Sequence, residues 1–137
     1  MEIHQTTAEE AAATLARDPT AVYLDVRSEA EFAAGHPAGA RNVPVLLVAP
    51  GRPPQPNPEF LATVERHLAR DATVLVGCQS GMRSLRACEL LLQAGWTAVV
   101  NVQGGFGGAR DPAGRVLAAG WADSGLPVET GPDVGTR

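Results

Sequence analysis

Residues 72 to 95, Ala-Thr-Val-Leu-Val-Gly-Cys-Gln-Ser-Gly-Met-Arg-Ser-Leu-Arg-Ala-Cys-Glu-Leu-Leu-Leu-Gln-Ala-Gly, decide how the rest of the chain is read. Thr73 to Val76 is a β-branched and aliphatic run too short for a helix, and its lack of alternation predicts a strand covered on both faces. Leu85, Cys88, Leu91 and Leu92 then recur at helical spacing, and Gly95 is placed to close that helix in a left-handed cap. Between strand and helix lies the loop Cys78-Gln79-Ser80-Gly81-Met82-Arg83.

Successive backbone N–H groups in such a loop can turn inward as a concave anion site, reinforced by the positive end of the following helix. A thiol at the first position of that loop is expected to be held as thiolate, with Arg83 as the nearby cation. Gly81 lets the backbone bend where a Cβ would crowd it. Taken alone, Cys78 fits two readings: a small buried residue at a strand end, or a nucleophile activated by dipoles and a guanidinium.

The 137 residues suit one domain, and the 45% hydrophobic content can fill one core. A formal charge of −4 and a pI near 5.3 argue against a general nucleic-acid or membrane-surface binder, which would need a basic face. The first seven residues carry no cationic segment followed by an apolar stretch, so no secretory signal is read there. The longest aliphatic run, Val45 to Ala49, is far below the roughly 20 residues needed to span a bilayer. Two cysteines ten residues apart in sequence do not make a disulfide framework. The expectation is a reduced, cytoplasmic protein.

Thr7 and Glu10 have the spacing of a capping box, opening an Ala-rich helix to about Arg17. Ala21 to Val26 is the first strong strand, with Asp25 and Arg27 at the carboxyl edge where ligands collect in open α/β sheets. A carboxylate and a guanidinium two residues apart read first as a pair that anchors neighbouring loops. Ser28 and Glu31 form a second capping box, and Gly35 ends that short helix. His36, beside Pro37 in a turn, reads as a turn-fixing residue before it reads as a general base. Residues 44 to 58 hold six prolines and predict an extended surface excursion. Asn57 and Pro58 then suit the N-cap and first position of an amphipathic helix to about Arg70. Trp96 to Val102 is expected to be the last strand. The run Gly104-Gly105-Phe106-Gly107-Gly108 is not read as a phosphate loop, because no Lys-Ser or Lys-Thr follows.

Four stretches in this order resemble the rhodanese-like sulfurtransferase family: Leu24-Asp25-Val26-Arg27 with Glu31-Phe32; Gly35 to Ala40 before Asn42-Val43-Pro44; Cys78 to Arg83 with Ser84; and Asn101 to Gly105. The resemblance implies an α/β three-layer sandwich, a mainly parallel central sheet with helices on both faces, as one domain over 1–128 with 129–137 as a flexible tail. It further implies that Cys78 carries sulfur as a persulfide from a small anionic donor such as thiosulfate to cyanide, a thiol or a protein acceptor. Gln79, Ser80, Gly81, Met82 and Arg83 would hold the anion, with Asp25, Arg27 and His36 in support, and no metal or organic cofactor is required. The sequence departs from the family turn at His36-Pro37-Ala38, and inserts residues 109–115 before Trp121. Two competing readings are a non-catalytic interaction module and a phosphatase of related fold. The phosphatase loop needs five residues between Cys and Arg, and here only four stand between Cys78 and Arg83.

Overall fold

The computed structural model describes residues 2–133. Five parallel strands, β1 (His4–Thr6), β2 (Val22–Asp25), β3 (Arg41–Asn42), β4 (Thr73–Gly77) and β5 (Ala98–Val102), form one sheet in the order β1-β5-β4-β2-β3. Four helices connect them: α1 (Ala8–Arg17), α2 (Glu29–Ala34), α3 (Phe60–His67) and α4 (Met82–Gln93).

The strand period of two divides the core into two clusters. Leu24, Val74, Val76 and Val99 face Phe60 and Val64 of α3 and Ala87, Cys88 and Leu91 of α4. Tyr23, Leu75 and Val102 face Ala8 and Ala11 of α1 and Phe32 of α2. The absence of alternation in β4 is thus explained by two helical layers, and the expected three-layer α/β sandwich is the one observed.

The local signals hold to different degrees. Thr7 caps α1 by accepting from the Glu10 amide at 3.1 Å, and Ser28 and Glu31 form the complete reciprocal box on α2. Gly95, at φ +105°, closes α4 with Trp96 N donating to Leu91 O and Gly95 N to Leu92 O, the paired bonds of a Schellman motif. The start of α3 is corrected. Glu59 is its N-cap, while Asn57 accepts from the Glu59 amide and donates to Pro44 O, so Asn57 holds the preceding turn. That helix also ends earlier than expected, at His67.

Strand β1 escaped the sequence reading because His-Gln-Thr carries no apolar run; only its pairing with β5 makes it a strand. Beyond β5, the segment 109–118 folds as a short antiparallel arm, Ala109–Arg110 against Val116–Ala118. Trp121 then returns to the core, edge-on to Tyr23 and donating to Pro127 O. The chain does not separate at 129. Val128 and Glu129 pair with Pro37 and His36, Gly131 N donates to Ala33 O, and Asp133 accepts from the Asn42 amide. The tail expected over 129–137 is thus paired as far as Asp133, and residues 134–137 lie outside the described residues. The proline-rich stretch is an exposed loop whose ends meet as Leu46–Leu47 against Gln55–Pro56.

Candidate active site

Parallel strands bring their carboxyl ends to one edge, so Asp25, Gly77 and Val102 end side by side and deliver Asp25, Cys78 and the glycine run to one place. From Gly77 the chain turns through Cys78 to Gly81 and enters α4. Gly81 is the N-cap at φ +104°, a backbone conformation that L side chains rarely adopt.

The turn aims backbone donors at the sulfur. Gly81 N lies 3.2 Å and Ser84 N 3.4 Å from Cys78 Sγ, and Ser84 Oγ lies 3.4 Å from it on the buried side. Both amides belong to the start of α4, where N–H groups lack intrahelical partners. Cys78 is 2% exposed, so the sulfur is nearly covered while still surrounded by donors.

Sequence reasoning placed the cradle on Gln79 to Arg83; of these Gly81 donates to the sulfur, and Ser84, one residue further, is the second amide. Ser80 and Met82 are exposed at the rim. Gln79 turns its amide oxygen to Arg27 Nη1 at 3.2 Å.

Arg83 is not a free cation. Its Nη1 and Nη2 meet Glu31 Oε1 and Oε2 at 2.8 and 3.0 Å, joining α4 to α2. The Arg83 hydrogen bond holds the Glu31 carboxyl down at about 2, against burial, which works in the opposite direction. A depressed carboxyl stabilises the fold above its unfolded value near 4.5, and that increment is lost as pH falls towards about 2. Because the pair is partly exposed, screening limits the increment to about 1 kcal/mol. Glu31→Gln keeps an acceptor for the Ser28 amide and removes the charge. Its unfolding midpoint should therefore fall slightly at neutral pH and show a flatter acid limb than the native protein, as read by urea titration at several pH values.

Asp25 and Arg27 form a buried bidentate pair, with Nε at 3.0 and 3.1 Å and Nη2 at 2.8 Å from the carboxylate. Arg27 also donates to Gly35 O at 2.6 Å and lies over the Phe106 ring. Asn42 donates to the carbonyls of both residues. These contacts tie β2 to α2, β3 and the cysteine loop, which matches the anchoring role. His36 stacks on Phe32 with centroids 3.5 Å apart and places Nδ1 2.7 Å from Phe32 O, the turn-fixing arrangement.

The glycine run braces the cysteine loop from outside. Phe106 N donates to Cys78 O at 2.7 Å and Gly107 N to Gln79 O at 2.9 Å. A Cβ on Gly105 would stand 2.1 Å from Cys78 O, and one on Gly107 would meet the Gln79 side chain. The run is glycine because two backbones pass at contact distance. Arg86 pairs with Glu89 on the surface. Cys88 packs in the core, and burial pushes its thiol up to about 12. Both cysteines are free thiols. Among the described residues no three His, Cys, Asp or Glu side chains are grouped to hold a metal ion, and no helix is long and apolar enough to cross a membrane.

The rhodanese-like domain profile matches residues 7–110, and the chain belongs to the rhodanese-like family. It is 41% identical over 108 residues to thiosulfate sulfurtransferase 16, chloroplastic, of Arabidopsis thaliana, covering 78% of each chain. It is 42% identical over 111 residues to thiosulfate sulfurtransferase 18 of the same plant, covering 79% of this chain and 71% of the relative. The chain spans about half the length of some other matched relatives. Among solved structures, Rv0390 from M. tuberculosis superposes with a TM-score of 0.78 at 33% identity, over 96% of this chain and 100% of that one.

Proposed function

We propose that the protein is a sulfurtransferase that carries sulfane sulfur on Cys78. The observation that carries this reading is the pair of amides, Gly81 N and Ser84 N, directed at Sγ from the start of α4. Relatives named as thiosulfate sulfurtransferases support it.

With thiosulfate as donor, the Cys78 thiolate attacks the outer sulfur. The new S–S bond forms as the bond to the sulfonate sulfur breaks, and sulfite leaves with the electron pair. The cysteine persulfide that remains is anionic, and fixed N–H groups stabilise such charge without reorganising during the reaction. An acceptor such as cyanide or a thiolate then bonds to the outer sulfur, and Sγ leaves as thiolate. Ordinary hydrogen bonds to charged sulfur of this kind contribute about 1.5–3 kcal/mol each.

Arg83 would meet the anionic donor at the loop's rim only by sharing its guanidinium with Glu31. A neutral Gln79 adds no further cation, so donors with a single negative charge, persulfides among them, suit the site as well as thiosulfate does. Incubation of the reduced protein with thiosulfate, followed by intact mass measurement, should show a gain of one sulfur that cyanide removes. No gain with any sulfane donor, or release of phosphate from an aryl phosphate, would reject the assignment.

A further inference from the structure

Beneath Cys78 a chain of polar groups runs across the sheet, all pointing one way. The thiol faces Ser84 Oγ, Ser84 Oγ donates to Asn101 Oδ1, and Asn101 Nδ2 donates to Gln5 Oε1 at 3.0 Å. Ser84 and Asn101 are buried, whereas Gln5 stands exposed on the edge strand, directly opposite Asn101 in register.

In this direction the sulfur must be a donor. A thiolate can only accept, and Ser84 would then present lone pairs to a negative charge. Turning the Ser84 hydroxyl alone would strip the buried Asn101 Oδ1 of its donor and leave a desolvated acceptor unpaired. Every linking group, however, is a hydroxyl or a carboxamide, able both to donate and to accept. If all three turn together, Gln5 Nε2 donates to Asn101 Oδ1, Asn101 Nδ2 to Ser84 Oγ, and the Ser84 hydroxyl to the sulfur. No buried group is then left unpaired. A hollow of about 240 Å³ lined by Gln5, Ser80, Gly81, Asn101 and Leu117 gives the Gln5 amide room to turn.

We propose that Ser84, Asn101 and Gln5 are positioning residues that form a reversible hydrogen-bond chain, whose direction follows the charge on the Cys78 sulfur. This rests on the reading of Cys78 as the reacting sulfur. The charged and titratable groups coupled to that sulfur are Arg83 and Cys88 of α4 and Tyr23 of β2; Arg83 is paired with Glu31 of α2, and the Asp25–Arg27 pair reaches the next residue of the loop, Gln79. None of them is altered by a change at Gln5.

The test follows the ultraviolet absorbance of the thiolate against pH, each variant being subtracted from the same variant carrying Cys78→Ser. Gln5→Glu offers only acceptors and locks the chain in the direction found, so the thiolate should appear at higher pH by about half to one unit. Gln5→Lys offers only donors, and the transition should move down by a similar step. Gln103→Glu places the same charge on the rim of the same hollow, at a residue that is not a member of the chain, and should leave the transition in place. In Ser84→Ala, and independently in Asn101→Val, the Gln5 shifts should vanish. Shifts that persist in both backgrounds, an equal shift from Gln103→Glu, or no shift from either Gln5 variant would each overturn the proposal. Because absorbance reads charge and not turnover, a protein that shows the shifts yet moves no sulfur keeps the chain and loses the transferase reading. One that moves sulfur without them loses the chain alone.

Discussion

Cys78→Ser should reduce sulfur transfer from thiosulfate to cyanide to background while leaving the folded structure intact. Serine has nearly the same shape, and Gly81 N and Ser84 N can donate to its hydroxyl as they do to the sulfur. A hydroxyl cannot accept and release a sulfane sulfur, so the loss is chemical and not structural. Circular dichroism and urea unfolding should differ from the native protein by about 1 kcal/mol or less, the usual range for a replacement that changes volume little. Cys88 cannot substitute, because it is buried in the core and its thiol is pushed up to about 12. Transfer at an undiminished rate in Cys78→Ser would remove the sulfur carrier from the mechanism altogether.

Arg27→Leu should cause the largest loss of stability of the substitutions considered. It removes the guanidinium from the Asp25 carboxylate, which is 1% exposed, and keeps the backbone amide of residue 27, 3.0 Å from Oδ1. It also leaves Gly35 O and Gln79 Oε1 without the guanidinium. Removing one partner of a buried ion pair costs about 3–5 kcal/mol, a large share of the roughly 5–15 kcal/mol that holds a domain together. Replacing both partners, as Asp25→Leu with Arg27→Leu, should be the milder change because no buried charge is stranded. Chemical denaturation of the single and the double variant checks the order. Equal losses in the single and double variants would mean that the pair matters for its packing over Phe106 and not for its charge.

How much of this was legible in the sequence depends on the separation between partners. The Ser28–Glu31 box, the Thr7 cap, the Gly95 closure of α4 and the two-sided burial of β4 are fixed by residues within a few positions of one another, where spacing alone sets geometry. Asn57 is ambiguous from sequence because the side chain that suits an N-cap can also hold the turn before it, and Pro44 O decides between them. The sequence excludes a phosphate loop for the glycine run but does not show why it is glycine; the reason lies at the Cys78 carbonyl, 27 residues before the Gly105 that must approach it.

The sequence by itself determined the alternation of strands and helices, and with it the parallel sheet, the carboxyl edge and the loop that begins with Cys78. Hydrophobic period, caps and turn residues are local properties, so they survive without knowledge of what packs on them. Only the tertiary structure decided that Arg83 shares its charge with Glu31 and that Asn101 links Ser84 to Gln5, partners 52 and 96 positions apart. It also decided that residues 129–133 hold the His36 turn and Asn42. Such pairings follow from strand order and register, which set neighbours across the sheet and leave no periodic trace in the chain itself.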